Sequence, residues 1–166
     1  MNKKQALPWD NPRFHNWIAV ARACQVMGLS LGRALQPLDI KPPHLDILVN
    51  LFRTPGISQQ DLADKLLVGR SNLSMLLPQL EKRGLLVRNN DPQDRRVLRL
   101  ELTPEGTKLT QEAIVIQTAM IDRAMKAASA EECNLVGQVM TRIIGELTTS
   151  ELTTTPEIEK PLRHKA

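Results

Sequence analysis

Aromatic side chains are scarce in this chain of 166 residues. It contains two Phe, two Trp and no Tyr, although hydrophobic residues make up 42% of the sequence. Aliphatic side chains must therefore fill most of the buried core. The length suits one domain of ordinary size, and two large domains are not expected.

Long apolar runs and cysteines are also few. The first residues lack the apolar segment of a secretory signal, and no stretch approaches the roughly 18 apolar residues of a membrane helix. Two cysteines, Cys24 and Cys133, fit a reducing compartment better than a disulfide framework. We therefore expect a cytoplasmic protein that has no membrane partner.

The signatures of metal sites and of catalysis are missing from the sequence. The three histidines, at 15, 44 and 164, and the two separated cysteines do not have the spacing of a structural zinc site. There is neither a glycine-rich phosphate loop nor a nucleophile elbow. We expect no metal, no cofactor and no catalytic residue, so the enzyme class is not expected.

Both ends of the chain carry apolar residues at helical spacing. Asn11 before Pro12 predicts a helix that begins there and runs to about residue 36. A capping box of Ser129 and Glu132 predicts the start of a last helix. The stripes comprise Phe14, Trp17, Ile18, Val20, Ala21, Cys24, Met27, Leu29, Leu31 and Leu35 in the first helix, and Leu135, Val136, Val139, Met140, Ile143, Ile144 and Leu147 in the last. Together they exceed what one small domain needs to cover, which indicates a partner surface; an intrachain core is the alternative for either stripe alone.

The middle of the chain predicts three short helices and then a hairpin. Prolines 42 and 43 open the first helix, whose predicted buried face is Leu45, Leu48, Val49 and Phe52. Ser58 and Asp61 resemble a capping box for the second. The third, "RSNLSMLLPQLEKRG", places Leu73, Leu76, Leu77 and Leu80 on its inner side and stops at Gly84. Alternating residues on both sides of "NNDPQDRR" predict a β-hairpin, so the predicted fold is mainly α with a small β-hairpin wing.

Residues 69 to 106, "GRSNLSMLLPQLEKRGLLVRNNDPQDRRVLRLELTPEG", resemble the MarR (multiple-antibiotic-resistance regulator) family of transcription factors. The matching features are the recognition helix, the Leu-Glu-x-x-Gly-Leu motif at its end, the Asp-Pro-x-Asp-Arg-Arg motif of the wing and the Leu-Thr-x-x-Gly motif that follows the wing. With this resemblance we expect an arm at 1–10, one domain at 11–150 and a mobile tail at 151–166. Within the domain, a winged helix-turn-helix at about 43–102 would lie between dimerisation helices at about 11–36 and 103–150.

The resemblance implies a homodimer that binds double-stranded DNA at a pseudo-palindromic operator, more often as a repressor. Residues 68 to 99 carry seven basic and three acidic side chains, a net charge of +4, equal to that of the whole chain. The start of the recognition helix can read base edges in the major groove, and an arginine in the wing suits a narrow minor groove. The candidate DNA-binding residues are Arg70, Ser71, Asn72, Ser74, Met75, Arg95 and Arg96, of which Arg96 is the one expected to reach the minor groove.

Two aspartates and one proline modify this prediction. Asp91 and Asp94 are expected to brace the arginines and the turn before binding. Pro78 departs from the family pattern, since it removes a hydrogen bond inside the recognition helix. Pro78 would either cause a kink that the helix tolerates or change the direction in which residues 70 to 75 face. The alternative function is a winged-helix interaction module that binds an acidic protein or RNA.

The resemblance also implies a pocket for a small aromatic or phenolic effector. Its candidate residues are His15, Trp17, Arg22, His44 and Phe52. A redox-sensing regulator that acts through Cys24 is an alternative, because part of the family senses peroxides through a cysteine in the first helix. That branch uses tyrosines, which this chain lacks, and an apolar neighbourhood makes a thiol less reactive. We therefore expect buried packing for Cys24.

Overall fold

The computed structural model describes residues 11–66 and 70–153, with side chains described for residues 11–66 and 72–148. The predicted arm at 1–10 and most of the predicted tail lie outside these ranges. Six α-helices, one 3₁₀ helix and three strands follow one another in the described residues: α1 Pro12–Ala34, the 3₁₀ helix Gln36–Leu38, α2 Pro42–Arg53, β1 Ile57–Ser58, α3 Gln59–Leu66, α4 Arg70–Lys82, β2 Leu86–Asn90, β3 Leu98–Leu102, α5 Pro104–Met125 and α6 Ala130–Thr153.

The helix starts follow the predicted capping residues. The Asn11 side chain accepts a hydrogen bond from the backbone N–H of Arg13 at 2.9 Å. At α3, the backbone N–H of Asp61 donates to Ser58 Oγ at 3.0 Å, and the Ser58 hydroxyl donates to the Asp61 carboxylate at 2.6 Å. At α6, Ser129 and Glu132 each accept a hydrogen bond from the other's backbone N–H. Local sequence is sufficient to set these ends because the capping partners lie within three residues of each other.

The predicted hairpin forms, and it gains a third strand. β2 and β3 pair antiparallel from Leu86 with Leu102 to Asn90 with Leu98. The two-residue β1 adds to the other edge of β3, where Ile57 lies opposite Leu100. Two residues are too few to show strand periodicity, so the sequence did not predict β1.

Leucines fill the core around this sheet, as the scarcity of aromatics required. Leu45, Leu48, Leu73, Leu77 and Leu80 are at most 1% exposed. The predicted buried face of α2 is wrong at its end: Phe52 is 38% exposed and Val49 is only partly buried. Three other residues of α2 are buried instead: His44, Ile47 and Leu51. The helix packs against α3, α4 and β3, so its buried stripe is shifted toward these neighbours.

The backbone at the end of α4 packs closely against the start of α5. Gly84 has φ +68°, and the N–H groups of Gly84 and Leu85 donate to the carbonyls of Glu81 and Leu80, which is a Schellman end. Thr103 donates its hydroxyl to the carbonyl of Gly84 at 2.6 Å and accepts from Gly106 N–H at 2.9 Å. A Cβ on Gly106 would overlap the carbonyl oxygen of Leu85. The glycine of the Leu-Thr-x-x-Gly motif therefore permits a close backbone approach.

The chain divides into two compact units between Asp122 and Arg123, a boundary that falls inside α5. The prediction of a single domain at 11–150 remains a prediction. α6 continues three residues beyond the predicted end of the domain at residue 150, and α5 ends at Met125.

Apolar residues on both terminal helices remain exposed. α1 contains no buried residue, and Trp17, Met27 and Leu29 are among its exposed side chains. In α6, Leu135, Val136, Ile144 and Leu147 are exposed. The expected buried packing of Cys24 is therefore wrong for the single chain, in which Cys24 is exposed. Its apolar neighbours Val26 and Met27 on the same helix are exposed as well.

Candidate nucleic-acid interface

The recognition helix α4 buries its leucines and turns its polar start outward. Asn72, Ser74 and Met75 are exposed, and Met75 is 62% accessible to solvent. Arg70 and Ser71 begin the helix, and their side chains lie outside the described set. The described part of the predicted base-reading surface is therefore opposite the core, as the positions of the leucines required.

Pro78 does not interrupt α4, which is helical from Arg70 to Lys82. The proline cannot donate a backbone hydrogen bond. The next residue, Gln79, adds a side-chain hydrogen bond within the helix, because its Nε2 donates to the carbonyl of Met75 at 3.0 Å. A helix break is thus absent here, while a changed aim of residues 70 to 75 remains a prediction.

At the tip of the wing, Asp94 holds Arg96. The Asp94 carboxylate accepts from Arg96 Nε at 3.0 Å and from its terminal nitrogen at 2.9 Å. The same carboxylate accepts the backbone N–H of Arg96 at 3.0 Å. Hydrogen bonds from Arg96 lower the pKa of Asp94, and the Asp94 carboxylate raises the pKa of Arg96. The guanidinium of Arg96 thus makes a bidentate interaction with Asp94, although 90% of the Arg96 side chain is exposed.

Asp91 has a different arginine partner. Its carboxylate accepts from Arg99 Nε at 2.7 Å, and its other oxygen accepts the backbone N–H groups of Gln93 and Asp94 at 2.7 and 3.1 Å. These bonds, that of Arg99 first, lower the pKa of Asp91. Arg99 also donates to the carbonyl of Gly56 at 3.3 Å, next to β1. Asp91 thereby fixes the turn and the third strand of the wing, whereas Asp94 fixes the arginine at its tip.

Two further basic residues of the wing differ in their surroundings. Arg95 is exposed, and none of the ion pairs between described residues includes it. Arg88, on β2, donates to the Glu81 carboxylate from Nε at 3.0 Å and from a terminal nitrogen. This bond lowers the pKa of Glu81. The Arg88–Glu81 pair links the wing to α4; their opposite charges were the only signal for it in the sequence.

The exposed start of α4 and the wing share one cleft. A cavity of about 500 Å³ is lined by Ser74 of α4, by Arg96 and Val97 of the wing and by Gln60 and Asp61 of α3. The fold therefore brings together two predicted DNA-binding residues, Ser74 and Arg96, that are 22 positions apart in the sequence. Sequence reasoning missed Gln60 as a member of this surface, since a polar residue on a short helix carries no specific signal.

Comparison with known proteins finds a family and a fold that this chain resembles. Residues 40–98 match the model of the MarR family. The chain is therefore similar to the MarR family from just before α2 to the first residue of β3. Among curated relatives, the HTH-type transcriptional regulator MhqR of Bacillus subtilis is 24% identical over 127 residues, which cover 76% of this chain and 88% of MhqR.

Solved structures of the MarR family share the fold. AbsC, a MarR-family transcriptional regulator from Streptomyces coelicolor, superposes with a TM-score of 0.76 at 24% identity, over 81% of this chain and 93% of AbsC. The S. aureus MepR–DNA complex gives a TM-score of 0.73 at 25% identity, over 78% of this chain and 96% of the MepR chain. The predicted fold, a winged helix-turn-helix between long helices, is confirmed.

The residues predicted for a MarR-type effector pocket are not brought together in the described chain. His15 and Arg22 line a shallow surface pocket with Phe14 on α1. His44 lines a separate cavity, and Phe52 lines a third with Pro55. Trp17, 54% exposed, lines none of these three. The effector pocket therefore stays a prediction.

The described residues were also searched for membrane-spanning helices and for metal-binding groups. Among residues 11–66 and 70–153, no helix is long and apolar enough to cross a membrane. In the same part of the chain, no group of three His, Cys, Asp or Glu side chains could hold a metal ion.

Proposed function

We propose that this protein is a cytoplasmic transcriptional regulator of the MarR family, which binds double-stranded DNA sequence-specifically and has no enzymatic activity. The observation that carries the proposal is the shared cleft of Ser74 and Arg96, which sets the polar start of α4 beside the wing. A helix suits the major groove, and an exposed arginine suits the adjacent minor groove. MepR, which has a similar fold, has been solved in complex with DNA.

The two elements have different roles in this proposal. Arg70, Ser71, Asn72, Ser74 and Met75 lie in or next to the first two turns of α4, from which side chains can reach base edges. Arg96, assisted by Arg95, would enter the minor groove. The carboxylate of Asp94 supports this role, because a guanidinium that is already oriented loses less conformational entropy on binding.

A homodimer gives this arrangement its two-fold symmetry. Two half-sites one helical turn apart require two copies of α4. The apolar residues that α1 and α6 each leave exposed supply surfaces for a second copy, since patches of this kind mark interaction sites. The operator would then be pseudo-palindromic.

The regulatory part of the proposal is repression that a small aromatic or phenolic ligand relieves. A ligand can release DNA only if it binds more tightly to the conformation that does not fit the operator. The candidate side chains His15, Trp17 and Arg22 all lie on α1, one of the two helices offered to the second copy. Assembly of the dimer would therefore decide which groups surround a ligand there.

Fluorescence anisotropy with the DNA upstream of the chain's own gene tests DNA binding. We expect tighter binding to that duplex than to a shuffled duplex or an RNA of equal length. The affinity should fall steeply with salt, because each phosphate contact releases counterions. Equal affinity for all three, or preference for the RNA, would contradict the regulator and favour an RNA-binding module; salt-independent binding would also contradict it.

Two arginine variants distinguish the contribution of the wing to DNA binding from that of positive charge in general. Arg96→Gln should weaken binding to the upstream duplex and to shuffled DNA by similar factors, and should lower the salt slope by about one. Arg53→Gln is the matched control, since Arg53 is an exposed arginine in the last turn of α2. Equal losses from both variants would contradict the role of the wing.

A further inference from the structure

His44 is a buried histidine whose hydrogen bonding is incomplete. It is 7% exposed and occupies the first turn of α2. Its Nδ1 accepts the backbone N–H of Lys41 at 3.3 Å. A neutral imidazole that accepts at Nδ1 carries its proton on Nε2, which is then a donor. Nε2 is fully buried and has no hydrogen-bond partner among the residues that the structure describes.

Burial of an unpaired donor costs free energy that a partner can recover. Burial lowers the pKa of His44 and the nearby Gln79 side chain partly offsets this shift, but no hydrogen bond of acceptable geometry joins Gln79 to Nε2. The Gln79 side chain is exposed, and its other end donates to Met75. Gln79 and His44 line the same cavity.

The cavity beside His44 is lined mainly by donors. It measures about 380 Å³ and is bounded by Gln36, Lys41 and His44 on one side, and on the other by Gln79 of α4 and by Arg83, which follows α4. Arg83 uses two nitrogens on the carbonyls of Asp39 and Leu38. A guanidinium has five N–H groups, so others are left for a ligand.

Charge around the cavity favours an anion. Lys41 and Arg83 contribute two positive charges, and Asp39 contributes the one carboxylate of the lining. The Asp39 side chain is 94% exposed and lies 3.8 Å from Arg83, so solvent screens it. α2 also directs its positive N-terminal end here, although Pro42 and Pro43 offer no N–H groups. Side chains rather than backbone amides must therefore hold the ligand.

We propose that this cavity binds a small oxyanion, a carboxylate or a phosphate, that accepts a hydrogen bond from His44 Nε2 and is paired with Lys41 and Arg83. His44 is also one of the residues predicted for the effector pocket, but His15, Trp17, Arg22 and Phe52 do not line this cavity. The proposal requires neither DNA binding nor the regulatory role.

NMR of the imidazole groups tests the site directly, because the chain has only three histidines. In ¹⁵N-histidine-labelled full-length protein, removal of His15 and then His164 assigns the remaining signal to His44. Without added anion, we expect the tautomer with the proton on Nε2. Sodium acetate or sodium phosphate should move the His44 Nε2 signal saturably, whereas sodium chloride at equal ionic strength should not.

Two lysine variants connect this signal to the cavity. Lys41→Gln should weaken binding of the active anion by about tenfold, since a charge-assisted contact is lost. Lys82→Gln removes an exposed lysine that does not line the cavity and should leave the affinity unchanged. The acetate and phosphate arms decide between the two kinds of oxyanion. An unmoved His44 signal with both anions, a shift that chloride reproduces, or equal losses from both variants would overturn the site.

Discussion

Apolar residues are buried in the winged-helix segment, residues 42–102, and exposed on the terminal helices α1 and α6. In the segment, leucines from α2, α3, α4 and β3 converge until they are almost completely buried. In α1 no residue is buried, and in α6 large apolar residues such as Ile144 stay 53% exposed. Similar apolar stripes therefore have different partners: the segment supplies its own core, whereas the terminal helices leave apolar area for another surface.

The largest expected effect concerns the backbone junction that closes the winged-helix segment. Gly106→Ala places a methyl group against the carbonyl of Leu85, so backbone must move. We expect a loss of about 3 kcal/mol in the free energy of unfolding, measured by urea denaturation. Gly28→Ala in α1 is the control, because nothing lies within 4 Å of its Cβ position.

Gly28→Ala should leave the protein as stable or stabilise it by up to about 1 kcal/mol, through helix propensity alone. If Gly106→Ala were tolerated equally well, the close approach at Leu85 would be wrong. A large loss from Gly28→Ala would indicate instead that α1 packs tightly against a second copy at this position.

A charged substitution on α6 tests whether a second copy covers its exposed apolar residues. Ile144→Glu puts a carboxylate on the exposed apolar side of α6. If a second copy covers this side, the dissociation constant of the dimer should rise by about a hundredfold, since an unpaired charge would be desolvated. Sedimentation velocity measures the change. Gln138→Glu, an exposed polar position of the same helix, is the control; an unchanged dimer in both variants would contradict the proposed interface.

The smallest expected effect is a pH dependence of stability due to His44. Burial is the main cause that lowers the pKa of His44 below 6.5; Lys41 and Arg83 lower it further, whereas Gln79 and Asp39 raise it. The unfolded chain then takes up the proton first as the pH falls. The stabilisation is complete above about pH 6.5 and is lost as the pH falls toward the folded-state pKa.

Urea midpoints measured across this range should show a decline with acidification that His44→Gln reduces. His15→Gln, in which an exposed histidine of α1 is replaced, should keep the decline of the parent protein. The same slope in all three proteins would exclude His44 as its source.

Local signals in the sequence predicted the helix starts and the wing well. Asn11, Ser58 and Ser129 cap their helices through partners within three residues. The tip "DPQDRR" forms its turn through equally short contacts. Interactions at such short range depend little on the rest of the chain, so a sequence pattern can identify them.

Predictions that required a spatial neighbour were less accurate. Phe52 was assigned to the buried face of α2 because its spacing fits, yet α3, α4 and β3 select a different stripe. Asp91 was expected to brace the arginines and the turn: it accepts backbone N–H groups of the turn, but its arginine partner is Arg99 across the hairpin. Cys24 was expected to be buried because its neighbours along the chain are apolar, and in the single chain it is exposed.

The sequence by itself determined the order of the α-helices and of the two hairpin strands, the leucine core and the charge of the wing, because periodicity, caps and turn residues act over a few positions. Only the tertiary structure decided which side chains meet: Ser74 with Arg96 in one cleft, Arg88 with Glu81, and His44 with Arg83 around a second cavity. These pairs lie on different elements. Packing of the whole core fixes their separation, and no local pattern encodes it.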